Sequence, residues 1–127
     1  MLDLAPDQAE VSLRRGIVYF YLNEFDAARG DFQQVMQLSQ VADPRAEFWT
    51  GATYAKEGQY QEAIRMYSKA IRSQPMYKPA YKNRGLVHMA LGNYRRAAND
   101  FEELVRRNRK DNVARQLRDR ARQLSRN

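Results

Sequence analysis

Apolar and polar positions alternate along this chain with a helical period, and the pattern is written three times. The line NEFDAARGDFQQV begins at Asn23, GQYQEAIRMYSKA at Gly58 and GNYRRAANDFEEL at Gly92. In the middle line Ile64, Tyr67, Ser68 and Ile71 return at three- and four-residue steps, which marks one face of an amphipathic helix. The phase extends upstream of each line. Gly16, Gly51 and Gly85 are 35 and 34 residues apart, and each is followed at fixed offsets by a ring (Tyr19, Tyr54, His88), an alanine (Ala28, Ala63, Ala97) and a second ring (Phe32, Tyr67, Phe101). The spacing predicts helices near residues 9–22, 25–39, 44–57, 60–73, 78–91 and 94–107. Gly58 and Gly92 stand just past the last periodic residue, where a left-handed residue ends a helix. Asp43-Pro44 places a capping side chain before a first-turn proline. The small residues let the two helices of a unit approach closely, and the rings are expected to fill the space between units. A single pair cannot bury its own apolar face, so at least three must stack.

These residues resemble the tetratricopeptide repeat, a helix–turn–helix unit of about 34 residues. The middle unit matches through Gly51, Tyr54, Gly58, Tyr60, Ala63, Tyr67, Ala70 and Pro75. The third matches through Gly85, Gly92, Tyr94, Ala97 and Phe101, with Arg109 where the family has proline. The first matches through Gly16, Tyr19, Phe25, Ala28 and Phe32, with Gln40 at the proline position and one extra residue before Pro44. Ser12, Glu47 and Tyr81 occupy the phase of the family's leading tryptophan, and Trp49 lies two positions beyond it. The resemblance covers residues 9–111. It implies an all-α superhelical solenoid: a single domain of three repeats, about 9–43, 44–77 and 78–111, and a capping helix over about 112–126.

At the C-terminal end, Asn112 is placed to cap a seventh helix, with Val113, Leu117, Ala121 and Leu124 on one stripe and arginines largely elsewhere. Open arrays need such a cap to stay in solution. At the other end, LDLAPDQAE reads as the tail of a preceding repeat, with Pro6 in the phase of Pro75. The expectation is that the chain is a segment of a longer array, which exposed packing surface at Leu13 and Ile17 would support.

Composition narrows the chemistry. There is no cysteine and one histidine, His88, so no thiolate nucleophile and no cysteine–histidine zinc cluster can be assembled. No phosphate-loop sequence is present. His88 shares the phase of Tyr19 and Tyr54 and reads as a packing residue. Glu102 and Glu103 read as surface partners of Arg106 and Arg107 on one helix. No enzyme activity, cofactor or metal is expected. No apolar run approaches the roughly 18 residues of a membrane span, and the N-terminus lacks a secretory pattern, so the default expectation is a cytoplasmic chain. Net charge is +7, divided as −4 over residues 1–43, +5 over 44–94 and +6 over 95–127. A basic end can meet nucleic acid, but no stacking aromatics interleave these arginines. Complementary ends also permit end-to-end self-association.

The resemblance implies that the first helix of each pair lines a concave groove. Its residues here are Glu10, Leu13, Arg14, Ile17, Phe20 and Tyr21; Arg45, Phe48, Trp49, Ala52 and Lys56; and Lys82, Asn83, Leu86 and Met89. Rings and aliphatics rimmed by arginine and lysine suit a protein or peptide with apolar anchors and some acidic character. The same rings could instead pack between units. One subfamily holds acidic chaperone tails with a carboxylate clamp of lysine, asparagine and arginine. The matching phases hold Leu13, Ile17, Trp49, Pro79 and Asn83, so that clamp is not expected.

Overall fold

The computed structural model describes residues 4–39 and 42–127, with side chains from Gln8 onward. Its helices are α1 (Leu4–Tyr21), α2 (Phe25–Leu38), α3 (Pro44–Lys56), α4 (Tyr60–Ser73), α5 (Lys78–Ala90), α6 (Tyr94–Arg107) and α7 (Asn112–Ser125), with no strand among the described residues. They group into two compact units, residues 1–75 and 76–127. In the first, α1 packs on α2, α2 on α3 and α3 on α4; in the second, α5 packs on α6 and α6 on α7.

Each helix pair is closed by a glycine set against a ring. A Cβ at Gly16 would lie 2.5 Å from Cε1 of Phe32, one at Gly51 2.8 Å from Tyr67, and one at Gly85 2.6 Å from Phe101. Only a missing side chain admits the ring that closely. Phe32, Tyr67 and Phe101 are among the most deeply buried side chains of the chain, each contributing about 1.5–3 kcal/mol by leaving water. This revises the expected role of these three rings, which fill the inside of their own pair.

The turn between paired helices is the same device three times. The Gln59 N–H donates to the Tyr54 carbonyl at 2.8 Å and the Gly58 N–H to Ala55 at 3.1 Å. These two bonds satisfy carbonyls that the helix end leaves open. Gly92–Asn93 repeats the pattern onto Met89 and His88, and Asn23–Glu24 repeats it onto Phe20 and Tyr19. The left-handed residue is Gly58 (φ 77°), Gly92 (φ 79°) and, in the first turn, Asn23 (φ 63°). Asp43 caps α3 as expected, accepting from the Arg45 N–H at 3.0 Å.

Four expectations change. α1 begins at Leu4, upstream of residue 9, because Pro6 falls within its first turn, where proline costs no helical hydrogen bond; residues 2 and 3 of the expected repeat tail lie outside the described residues. The cap of α7 is Asp111, whose carboxylate accepts from the Ala114 N–H at 3.0 Å, one position before Asn112. The buried stripe of α7 runs through Ala114 and Ala121, with Leu117 and Leu124 half-buried and Val113 exposed. Glu102 does not pair along its own helix. It accepts from Arg118 at 3.0 Å and Arg122 at 3.2 Å and so ties α7 to α6, while Glu103 takes Arg106 and Arg107. No helix among the described residues is long and apolar enough to cross a membrane.

Candidate protein-binding surface

The first unit brings the aromatic residues of α1 and α3 together. Phe20 lies edge-on to Tyr21 (5.1 Å between ring centres), Phe25 (5.8 Å) and Trp49 (5.3 Å). Trp49 in turn meets Tyr21 at 6.0 Å and Phe48 at 5.4 Å, and Phe48 reaches Tyr67 of α4 at 5.7 Å. Edge-to-face pairs at these spacings stabilise beyond their burial by about 0.5–1.5 kcal/mol each. The cluster therefore has fixed geometry.

Burial divides the expected groove residues into floor and rim. Leu13, Phe20, Phe48 and Ala52 are buried, with Leu13, Phe20 and Ala52 in one apolar cluster against which Ile17 and Trp49 pack. Trp49 and Ile17 are half-buried, and Tyr21 is 69% exposed. Arg14, Ile17 and Tyr21 follow one another at helical spacing along α1; Arg45, Trp49, Ala52 and Lys56 do so along α3.

The rim charges differ in availability. Arg45 bonds Asp43 at 3.0 Å and Glu10 at 3.2 Å; its hydrogen bond to Asp43 is the main cause raising its pKa above the ordinary value. Its charge is largely compensated. Arg14 stands 4.0 Å from Glu10 and is well exposed, and Lys56 is exposed at the end of α3. In the second unit, Lys82 and Leu86 are exposed on α5, with Asn83 and Met89 half-buried. Lys82, Leu86 and Met89 share a face by spacing.

His88 is buried, and its Nδ1 is the one buried side-chain nitrogen or oxygen without a hydrogen-bond partner among the described residues. Burial lowers its pKa, against the opposing pull of Asp100, so the ring packs as a neutral group. No cluster of metal-ligating side chains occurs among the described residues. A cleft of about 590 Å3 opens beside the α5–α6 turn and the end of α7, lined by Tyr94, Arg95, Arg96 and Leu124 among others. It contains none of the expected groove residues.

Two ion pairs escaped the sequence reading. Arg15 grips Asp31 through two bonds of 2.9 and 2.7 Å, and Arg84 grips Asp100 in the same way. The signal was present as Arg-Gly followed by Asp-Phe at the same offset in the first and third units, against Thr-Gly and Met-Tyr in the middle one.

With glycine, ring and left-handed turn repeated in phase, comparison with known proteins decides the family. The chain matches the family described as TPR repeat over residues 51–92 and the one described as tetratricopeptide repeat over residues 79–111. The chain belongs to the tetratricopeptide repeat family. Among curated relatives, tetratricopeptide repeat protein 16 of Macaca fascicularis is 31% identical over 106 residues, covering 73% of this chain and 12% of its own length. The chain thus spans about an eighth of that relative. Among solved structures, the first tetratricopeptide repeat domain of Spaghetti (RPAP3), bound to the HSP90 peptide SRMEEVD, superposes with a TM-score of 0.86 at 20% identity, covering 95% of each chain. The second such domain of human RPAP3, in complex with the HSP70 peptide SGPTIEEVD, gives 0.82 at 20% identity over 93% of this chain and 98% of its own. These likenesses establish an all-α helical repeat solenoid.

Proposed function

We propose that this tetratricopeptide repeat chain is a non-enzymatic protein-interaction module. Its contact surface on the first unit is the ridge of Tyr21 and Trp49, with Ile17 beside them and Arg14 and Lys56 at the rim. The observation that carries the reading is Tyr21. A tyrosine 69% exposed, yet held edge-on by both Phe20 and Trp49, is a rigid aromatic anchor presented to solvent. Tyrosine, tryptophan and arginine dominate binding energy where they sit in pre-formed surroundings. The buried Leu13, Phe20, Phe48 and Ala52 act as support beneath it. Lys82, Asn83, Leu86 and Met89 of α5 offer a second patch of similar chemistry.

The partner that fits is a peptide or protein segment with apolar anchors and some acidic character, met on the first unit by Arg14 and Lys56. Structural neighbours of this fold bind short acidic peptides, which supports peptide binding as the kind of task. The clamp phases here hold Leu13, Ile17, Trp49, Pro79 and Asn83, four apolar residues and one asparagine, so an apolar contact is the anchor in this reading.

Trp49 is the sole tryptophan, and its fluorescence reports on the site directly. Peptides selected from a random display library on the wild-type chain are titrated against wild type, Tyr21→Ala and Trp49→Ala, the latter followed by calorimetry. Loss of an anchor of about 2 kcal/mol weakens binding roughly 30-fold. Unchanged affinity in both variants, with helicity retained, would overturn the assignment.

A further inference from the structure

Charge is divided unequally between the two units. Residues 1–75 hold 8 lysines and arginines against 10 carboxylate side chains, and residues 76–127 hold 14 against 5. A solenoid cap needs a polar outer face, which interspersed charges of both signs supply. A surplus of one sign repels itself and destabilises the compact state. All five carboxylates of the second unit are already engaged. Asp100 holds Arg84, Glu102 holds Arg118 and Arg122, Glu103 holds Arg106 and Arg107, and Asp119 also holds Arg118. Asp111 accepts from the Ala114 N–H as the cap of α7. The other nine lysines and arginines of the unit have no carboxylate partner among the described residues.

α7 sets such cations in a row. It packs on α6 with Ala114 and Ala121 buried, so its opposite side faces water. Arg115, Arg122 and Arg126 are exposed, and their spacing by seven and four aligns them along one edge of that side. Asn112, Gln116 and Gln123 are exposed beside them, and Asp119 there is held by Arg118. Cations continue past both ends of the helix. Arg109 and Lys110 are exposed in the turn before it, and Arg95 and Arg96 of α6 border the cleft that Ser125 and Asn127 line at its end. The 14 residues of α7 extend about 21 Å. A duplex of that length carries roughly twelve phosphate charges, so the row has the dimensions of a polyanion site.

The side chains on this face select among polyanions. Arginine, asparagine and glutamine all donate to phosphate oxygens, and a guanidinium fork meets two of them at once. α7 has no aromatic residue, so it offers an unpaired base nothing to stack on; in a duplex the bases are stacked inside and the phosphates point outward. The apolar stripe of α7 is covered by α6 and is not free to enter a bilayer. We propose that the outer face of α7, extended by Arg95, Arg96, Arg109 and Lys110, binds a nucleic-acid duplex through its phosphates, without reading its sequence. This surface shares no residue with the Tyr21–Trp49 ridge, and its test is independent of peptide binding there.

Fluorescence anisotropy of labelled DNA and RNA duplexes of about 20 base pairs, titrated with the full chain between roughly 50 and 300 mM salt, tests this. Engagement of the unpaired cations on the surface gives a slope of about −5 for log affinity against log salt. Arg115→Gln with Arg126→Gln should flatten that slope by about two. Lys69→Gln with Arg72→Gln removes the same charge from α4 in the first unit and should leave the slope unchanged. Circular dichroism confirms that both double variants keep their helices. Equal flattening by the two pairs would overturn the proposal, because net charge alone would then account for binding. No binding at the lowest salt would overturn it too. So would a single strand, polyglutamate or phosphatidylserine vesicles held as tightly as a duplex, or strong preference for one duplex sequence. A preference for DNA or for RNA duplex upholds the site and names the source of its phosphates.

Discussion

Adding one methyl group at Gly16 tests the glycine–ring contact against a competing effect of opposite sign. Replacing a mid-helix glycine by alanine favours the helix by about 1 kcal/mol. The new Cβ would lie 2.5, 2.9 and 3.0 Å from three atoms of Phe32, where carbon atoms ordinarily rest about 3.5–4 Å apart. The ring must retreat by about 1 Å, yet Phe32 is fully buried, so the retreat displaces α2. Overpacking of this kind costs about 1–3 kcal/mol. With the upper end expected for so short an approach, Gly16→Ala is left about 2 kcal/mol less stable. For a chain of this length that lowers the thermal midpoint by roughly 7 °C. Gly30 is the internal control: it is also helical, but a Cβ there meets nothing within 4 Å, so Gly30→Ala should gain up to about 1 kcal/mol. Urea and thermal unfolding followed by helical circular dichroism measure both. Combining Gly16→Ala with Phe32→Leu should cost less than the sum of the two single changes, since each relieves the other. A Gly16→Ala chain as stable as wild type, or a strictly additive double variant, would refute the contact as the reason for glycine.

Glu102→Gln weakens the hold of α6 on Arg118 and Arg122, and amide hydrogen exchange should rise across α7 while α1–α4 are unchanged. Arg29→Ala removes a side chain that bonds Thr53, Glu57 and Asp26; a loss of roughly 1–2 kcal/mol in urea unfolding is expected. His88 is held below its ordinary pKa of 6.5 by burial, so as pH falls through 6.5 the unfolded chain takes up the proton first and stability declines. His88→Tyr, the residue found in phase at positions 19 and 54, should remove that part of the decline, as seen in unfolding midpoints compared at pH 7.5 and pH 5.

Most helix ends were legible because the turns are chemically marked. Gly58 and Gly92 can take left-handed backbone cheaply, so α3 and α5 stop where the pattern says. The start of α1 was not legible, since Pro6 signals a break yet is tolerated in a first turn. Asp111 and Asn112 are adjacent residues of equal capping aptitude, and only the reach of a carboxylate to the Ala114 N–H separates them. Glu102 was assigned to its own helix because local pairing is all that spacing reveals; its partners arrive from a helix packed across it. The same limit governs the proposed interaction surface. The family resemblance puts Leu13, Phe20, Tyr21, Phe48 and Trp49 in one expected groove, but it cannot say that the rings stack so that Phe20 and Phe48 sink and Tyr21 rises.

The glycine–ring contacts also bear on how the chain acquires its structure. In every pair the ring lies sixteen residues beyond its glycine, from Gly16 to Phe32, Gly51 to Tyr67 and Gly85 to Phe101. Closing so short a loop costs little chain entropy, and proteins dominated by such near-neighbour contacts fold quickly. Each hairpin of helices can therefore dock its own ring while later residues are still being added by the ribosome, and a growing chain gains structure pair by pair.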